Sequence, residues 1–253
     1  MVVLTEKEAE NAWKVRLGSG AAGDGGNTHL LITAQDFFAD PDGQRERIWL
    51  RSRGNAEFAF NITPPPPAAP QSSLLLVQAD AHGQTVRFTA EAAPRNPELK
   101  YTQVQPAGDA PRVQLGPAPT WRGRGVAQAP GEDIPPYAAR WSVTLPPDAL
   151  EGLSDLYLQV TYRGDLARLT AGNKLLTDNF YNGKPWSIGL RRFMESKDSN
   201  SFELSLLPLR KDAPVYFEWV QQPEFGANGQ VDALDDLRLV PEYQLVLTDN
   251  AGR

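Results

Sequence analysis

Short segments in which apolar and polar residues alternate recur along the whole chain. Examples are residues 12–17 (AWKVRL), 57–62 (EFAFNI), 139–145 (ARWSVTL) and 156–162 (LYLQVTY). A period of two is typical of β-strands that are buried on one face. Apart from a weak pattern around residues 5–13, no capped segment of helical period is present. These patterns predict an all-β protein. They exclude a barrel of eight βα units, because its helices have no sequence to occupy.

Turn residues separate the predicted strands. The 253 residues include 21 glycines and 22 prolines, a larger share than in an average chain. Glycines within residues 80–84 and 171–174 predict two tight hairpins, because glycine accepts the positive φ that such turns use. About fifteen short strands follow from this reading, which favours an antiparallel β-sandwich of jelly-roll type with two packed β units.

A proline run marks the sharpest break in composition. Residues 64–67 are all proline and Pro70 follows, so this stretch is stiff and donates few backbone hydrogen bonds. We interpret residues 63–70 as a connector between an N-terminal β unit, residues 1–70, and a jelly-roll β-sandwich, residues 71–253. A surface loop within one domain is the alternative interpretation.

Composition excludes several classes of function. The chain has no cysteine and two histidines, which removes disulfides, thiol nucleophiles and three-histidine zinc sites. A net charge of −6 without a basic cluster argues against nucleic acid as a partner. No apolar run reaches the roughly 18–20 residues that span a bilayer, so no membrane partner is predicted. The N-terminus lacks the pattern of a signal peptide, as expected of a cytosolic chain or of a piece of a longer exported protein.

One stretch combines aromatic and short polar side chains in the way that sugar binding requires. Sugar rings stack on aromatic planes, and their hydroxyl groups bond to carboxylates and amides. The candidate carbohydrate-binding residues of this stretch are Asp178, Asn179, Tyr181, Asn182 and Trp186. The alternative is that Phe180, Tyr181 and Trp186 cap the sandwich core while the polar residues form turns around Gly183. From here on, residues 178–186 are called the aromatic patch.

Two further residues are candidates for carbohydrate contact. Trp121 lies among glycines in a loop-rich region and is expected to stack on a sugar or to dock on a neighbouring domain. Arg168 is expected to pair with Asp165 and to bond a sugar hydroxyl, although an aspartate beside Gly164 is also typical of a turn. Trp13, Trp49, Trp141 and Trp219 lie in alternating strands and are predicted to be core residues.

The sequence also contains candidate residues for metal binding and for independent catalysis. Six aspartates carry oxygen ligands suitable for a structural calcium ion, without the spacing of a known loop: Asp24, Asp40, Asp42, Asp232, Asp235 and Asp236. Tyr162 with Arg168 is a conceivable base and cation for a polysaccharide lyase. No nucleophile elbow, phosphate loop or metal motif is present.

Four blocks of the sequence resemble a known family. They are residues 162–169 (YRGDLARL), 178–183 (DNFYNG), 186–193 (WSIGLRRF) and 207–216 (LPLRKDAPVY). In this order they resemble the C-terminal β-sandwich region of bacterial β-galactosidases of glycoside hydrolase family 35 and related large glycosidases. Catalysis in that family belongs to a separate (β/α)₈ barrel with two glutamates. No position here matches the catalytic motifs of that barrel.

The resemblance implies a non-catalytic module of galactose-binding-like type. It would bind an oligo- or polysaccharide, with galactose as one expected component, and would belong to a periplasmic or secreted parent chain that also carries a catalytic domain. No cofactor is implied beyond the structural calcium considered above. Two alternatives remain open. One is a structural spacer that packs against the catalytic barrel, and the other is a small polysaccharide-active enzyme.

Overall fold

The chain forms two compact units. The computed structural model describes residues 4–17, 28–39, 47–66, 69–121, 123, 125–131, 133–194, 200–218 and 221–248. Unit 1 comprises Met1–Arg95, Gly152–Asp155 and Pro241–Arg253, and unit 2 comprises Asn96–Glu151 and Leu156–Val240. Among the described residues, no helix has the length and apolar character needed to cross a bilayer.

Unit 1 contains one short helix and the first eight strands of the chain. The elements are α1 (Glu6–Glu10), β1 (Ala12–Arg16), β2 (Thr28–Thr33), β3 (Asp36–Ala39), β4 (Arg47–Arg53), β5 (Glu57–Thr63), β6 (Gln71–Ser72), β7 (Val77–His82) and β8 (Thr85–Glu91). One antiparallel sheet has the order β1-β2-β5-β8-β7. Strands β3 and β4 form a second sheet with residues 242–248 of the last strand, which also pair with β6.

Alternation along the strands builds the core of unit 1. Phe58, Phe60 and Ile62 are buried on one face of β5, and the Phe60 ring stacks on that of Phe88 from β8 with 5.5 Å between ring centres. The helix begins at a reciprocal cap, in which Thr5 and Glu8 bond each other's backbone N–H groups. Both features follow from the local sequence.

Unit 2 contains the remaining strands. They are β9 (Lys100–Gln105), β10 (Ala139–Thr144), β11 (Asp155–Arg163), β12 (Leu166–Ala171), β13 (Lys174–Phe180), β14 (Trp186–Gly189), β15 (Ser201–Leu206), β16 (Leu209–Arg210), β17 (Gln230–Val231) and β18 (Ala233–Thr248), with a 3-10 helix at Arg191–Phe193. One antiparallel sheet has the order β13-β12-β15-β10-β9, β14 and β18 flank β11, and β16 pairs with β17. The first residue of β11 and the last eight of β18 belong to unit 1.

The all-β antiparallel fold class is confirmed. Leu156, Leu158, Val160 and Tyr162 are buried on one face of β11, as their alternation predicts. Both predicted hairpins are present, with Gly83 at φ +60° and Gly172 at φ +56°. Between β9 and β10, Leu115 and Ala127 form an isolated antiparallel bridge.

The division into units differs from the prediction. Residues 71–95 belong with the residues before the proline run, because β5 on one side of the run pairs with β8 on the other. Residues 63–70 therefore connect strands inside unit 1, which corrects the predicted boundary at residue 70. A local break in composition does not reveal this, because strand pairing across a loop depends on distant residues.

The tryptophans differ in burial. Trp141 is buried as predicted, whereas Trp13 and Trp49 are only half-buried. Trp13 stacks on Phe37 with 4.8 Å between ring centres. Trp219 lies outside the described residues, as do Arg122 and Arg124 beside Trp121.

Candidate functional site

The aromatic patch is spread over the end of β13, the following turn and the start of β14. Asp178 is exposed and lies opposite Arg168 in the neighbouring strand. Phe180 is 51% exposed at the end of β13. Trp186 is half-buried and pairs with Val160 of β11. The patch therefore contains one well-exposed aromatic ring among its three.

Tyr181 and Asn179 make contacts within the protein. The Tyr181 ring packs edge-on against Tyr162 at 5.9 Å and against Phe217 at 5.7 Å between ring centres. The Tyr162 hydroxyl donates to the Asn179 backbone oxygen at 2.6 Å and accepts from the Asn179 side-chain amide at 2.9 Å. These groups already serve packing and hydrogen bonding inside unit 2.

Asn182 and Gly183 shape the turn after β13. The Asn182 side-chain oxygen accepts from the Lys184 backbone N–H at 3.0 Å, which is an Asx turn. Gly183 has φ +75°, and a Cβ at this position would come within 2.9 Å of Gln221. The turn needs glycine for both reasons. The contacts of Tyr181, Asn179 and Asn182 agree with the packing alternative raised from the sequence, whereas the Phe180 ring is exposed.

Arg168 is buried, with 2% of its surface exposed. Its guanidinium donates to the backbone oxygens of Asp133 at 2.9 Å and Pro130 at 3.1 Å. These bonds attach Pro130 and Asp133 to β12. Trp121, in contrast, is 78% exposed in the loop between β9 and β10.

A polar groove in unit 2 gathers residues that are far apart in the sequence. Its volume is about 270 Å³. Three stretches line it together with Asp165: residues 111–114, residues 128–137 in part, and residues 207–210. The polar side chains among the lining residues are Arg112, Gln114, Gln128, Tyr137, Asp165 and Arg210. We call this feature the Asp165 groove.

The position of Asp165 follows from a close approach of two backbone segments. The Asp165 N–H donates to the Leu207 oxygen at 2.8 Å, and the Asp165 oxygen accepts from the Tyr181 N–H at 2.9 Å. A Cβ on the preceding Gly164 would lie 2.5 Å from a Leu206 methyl carbon, so only glycine allows this approach. The turn is thereby fixed over the core cluster of Ala138, Leu166 and Leu207.

The Asp165 carboxylate has no hydrogen-bond or ion-pair partner among the residues that the structure describes. Burial raises the pKa of this carboxyl group above its ordinary value. A half-buried carboxylate without a protein donor is an acceptor available to a ligand, because buried polar groups normally have partners. This is the strongest chemical feature of the groove.

Tyr137 provides an aromatic ring beside that carboxylate. The residue is half-buried and packs against the core cluster below the groove. Burial raises the pKa of the Tyr137 hydroxyl, the negative charge of Asp165 raises it further, and Arg168 acts in the opposite direction. The phenol therefore stays protonated at neutral pH and can donate a hydrogen bond.

The groove was not predicted from the sequence. From the sequence, Asp165 is expected to pair with Arg168 or to form a turn, and no role is predicted for Arg112, Gln114, Gln128, Tyr137 or Arg210. The one local signal is the Gly164-Asp165 turn directly before a buried strand. The other lining residues come from separate loops whose approach depends on the fold.

The structure also bears on the metal and lyase expectations. Asp235 accepts two hydrogen bonds from Arg163, Asp236 lies 3.5 Å from Arg238, and Asp232 accepts from Gln230. No group of three or more acidic or histidine side chains suited to a metal occurs among the described residues, and Asp24, Asp40 and Asp42 lie outside them.

Tyr162 does not have the properties of a catalytic base. Burial raises its pKa to about 12, partly offset by the hydrogen bond from Asn179. Because the hydroxyl is buried and bonded to Asn179, it is unsuited to abstracting a proton from a substrate. The structure thus argues against the lyase pair of Tyr162 and Arg168.

No family model and no curated protein matches the chain. A solved structure of a rhamnosidase from Novosphingobium sp. PP1Y is similar over 92% of this chain, with 13% sequence identity and a TM-score of 0.27. The similarity covers 25% of that chain. A TM-score this low supports no conclusion about function, and the resemblance to family 35 β-galactosidases stays a prediction.

Proposed function

We propose that this protein is a non-catalytic, carbohydrate-binding module of a glycan-degrading glycoside hydrolase, and that it binds glycan in the Asp165 groove. The observation that carries the proposal is the Asp165 carboxylate, which has no described protein partner and lies in one groove with Tyr137 and two glutamines. Carboxylates, amides and an aromatic ring are the groups that sugar-binding sites use. The sequence resemblance supplies the expected parent enzyme.

A structural spacer is the second candidate function. Leu75 is 85% exposed and Val77 is 55% exposed, both within one short stretch of unit 1. Exposed apolar residues close together favour a surface that another domain covers. On this reading the module packs against the catalytic domain of its parent chain, and the groove has no ligand.

Affinity electrophoresis of the full chain tests the proposed function. Native gels containing galactan, arabinogalactan, xylan or pectin should retard the chain in at least one case, relative to a gel without polysaccharide. Incubation with the same polymers should release no reducing sugar, because the described groove lacks a second carboxylate at catalytic separation. Unchanged mobility in every gel would contradict carbohydrate binding, and release of sugar would contradict the non-catalytic assignment.

A further inference from the structure

We propose that the Asp165 groove binds one ring of a neutral sugar, with hydroxyl groups of that ring donating hydrogen bonds to the Asp165 carboxylate. This inference rests on the proposed function and specifies the class of glycan. It also assigns a ligand contact to Asp165 in place of the aromatic patch. Sugars that carry a carboxylate or an ammonium group are expected to bind more weakly.

The Asp165 carboxylate sets the direction of the hydrogen bonds to a ligand. An ionised carboxylate only accepts, so its ligand must present a hydroxyl or an N–H group. Ordinary protein donors do not fill this role, since no described residue bonds to the Asp165 side chain. Two neighbouring hydroxyl groups of a sugar ring match the two oxygens of a carboxylate.

The charged side chains around the groove determine which ligand charge is favoured. Arg112 and Arg210 line the same groove as Asp165, so a cationic ligand meets two like charges. Asp212 accepts from Arg210 with both carboxylate oxygens, at 2.7 and 2.8 Å, and the charge of Arg112 also lowers the pKa of Asp212. The Asp212 carboxylate therefore limits the attraction of both arginines for an anion. An anionic sugar also meets the charge of the half-buried Asp165. A neutral polyol avoids both repulsions.

The size and shape of the groove limit the size of the ligand. A groove of about 270 Å³ lies below the range of roughly 300–1,000 Å³ that holds drug-sized ligands. It therefore suits one sugar ring rather than a long segment of polymer. Tyr137 and the lining prolines Pro111, Pro130 and Pro135 provide apolar surface for the C–H face of such a ring.

Calorimetric titration of the full chain at pH 7 tests the inference. The probes are the neutral disaccharides lactose, cellobiose and xylobiose, the acidic disaccharide digalacturonate, and the cationic disaccharide of glucosamine. At least one neutral probe should bind more tightly than both charged probes. Asp165→Asn should weaken that binding about tenfold or more, because a hydrogen bond to a charged group is lost. Glu98→Gln is the matched control: it removes an exposed carboxylate outside the groove and should leave binding unchanged.

One additional measurement and one additional variant show whether a loss of binding reflects a loss of folding. Thermal unfolding of Asp165→Asn should show a fold at least as stable as that of the unmodified chain, because burial disfavours the charged form of Asp165. If that variant does not fold, Gln114→Ala replaces it. Gln114 is exposed and lines the groove, so its truncation should weaken binding severalfold without unfolding the chain.

The outcomes separate this inference from the proposed function. Binding of a neutral disaccharide that is insensitive to both groove variants would overturn the inference while leaving carbohydrate binding intact. Preference for digalacturonate or for the glucosamine disaccharide would do the same. No binding of any disaccharide would also overturn the inference, and the absence of retardation by every polysaccharide would overturn the proposed function itself.

Discussion

The aromatic patch and the Asp165 groove differ in how their residues come together. The patch lies within nine consecutive residues and has the composition of a sugar site, yet Tyr181 and Asn179 are engaged in contacts with Tyr162. The groove is assembled from three separate stretches and a turn, and its carboxylate has no described partner. The two regions belong to the same unit and meet at one hydrogen bond, from the Tyr181 N–H to the Asp165 oxygen.

This comparison shows that composition alone does not separate a binding site from a packed corner. Aromatic and amide side chains occur both in binding sites and in packed corners. The two cases differ in whether these side chains already contact other residues of the protein. The useful criterion is whether a polar group remains available after the protein has satisfied its own hydrogen bonds. By that criterion the groove, and not the patch, is the candidate site.

The largest effect on stability is expected when Arg168, which bonds the stretch around Pro130 beside the groove, is replaced. Arg168→Met removes the donors that bond the Pro130 and Asp133 oxygens, so it should lower the free energy of unfolding by about 3 kcal/mol. It should also weaken glycan binding, because these bonds attach a stretch that lines the groove. Denaturant unfolding and the calorimetric titration measure the two effects.

Arg163→Met is the control for that variant. Arg163 bonds Asp235 near the surface, and such ion pairs contribute less than about 1 kcal/mol. Equal losses of stability in the two variants would contradict the special role of Arg168.

The second prediction concerns packing in the aromatic patch. Tyr181→Ala removes a ring that contacts Tyr162 and Phe217, and it should cost about 2 kcal/mol of unfolding free energy. The neighbouring Phe180→Ala should cost less than about 0.5 kcal/mol, because that ring is largely exposed. Urea titration of both variants measures the difference, and a larger loss for Phe180→Ala would reverse the assignment of the two rings.

The third prediction concerns the dependence of stability on pH. Because burial raises the folded-state pKa of Asp165, the protonated form favours folding, and this contribution is lost as the pH rises through that pKa. Asp165→Asn should therefore be more stable than the unmodified chain at pH 7, and the difference should shrink towards pH 3. Melting temperatures across this range test the sign. A variant that is less stable at pH 7 would show that the carboxylate has a stabilising partner.

The smallest expected effect concerns Trp186. If the groove is the binding site, Trp186→Ala should change the affinity for a neutral disaccharide by less than about twofold, because Trp186 does not line the groove. The measurement is the same calorimetric titration, with thermal unfolding as the check on folding. Abolished binding in a folded Trp186→Ala variant would restore the aromatic patch as the site.

The parts of the fold that could be predicted are those with a signal in the local sequence. Alternation located β11, and the glycines located the hairpins closed by Gly83 and Gly172. The pairing of β5 with β8 around the proline run was missed, because it depends on residues far apart in the sequence. The same limit applies to the groove: Asp165 sits at a predictable turn, but Tyr137 and Gln114 reach it through loops that have no periodic signal.

We expect glycan to bind beside Asp165. Heteronuclear NMR of the full chain, titrated in turn with lactose, cellobiose and xylobiose, tests it most directly. Glycan in the Asp165 groove should change the chemical shifts of Gln114, Tyr137 and Asp165 and leave the Trp186 indole unchanged. Shift changes centred on Trp186 and Phe180, or no changes with any of the three sugars, would contradict it.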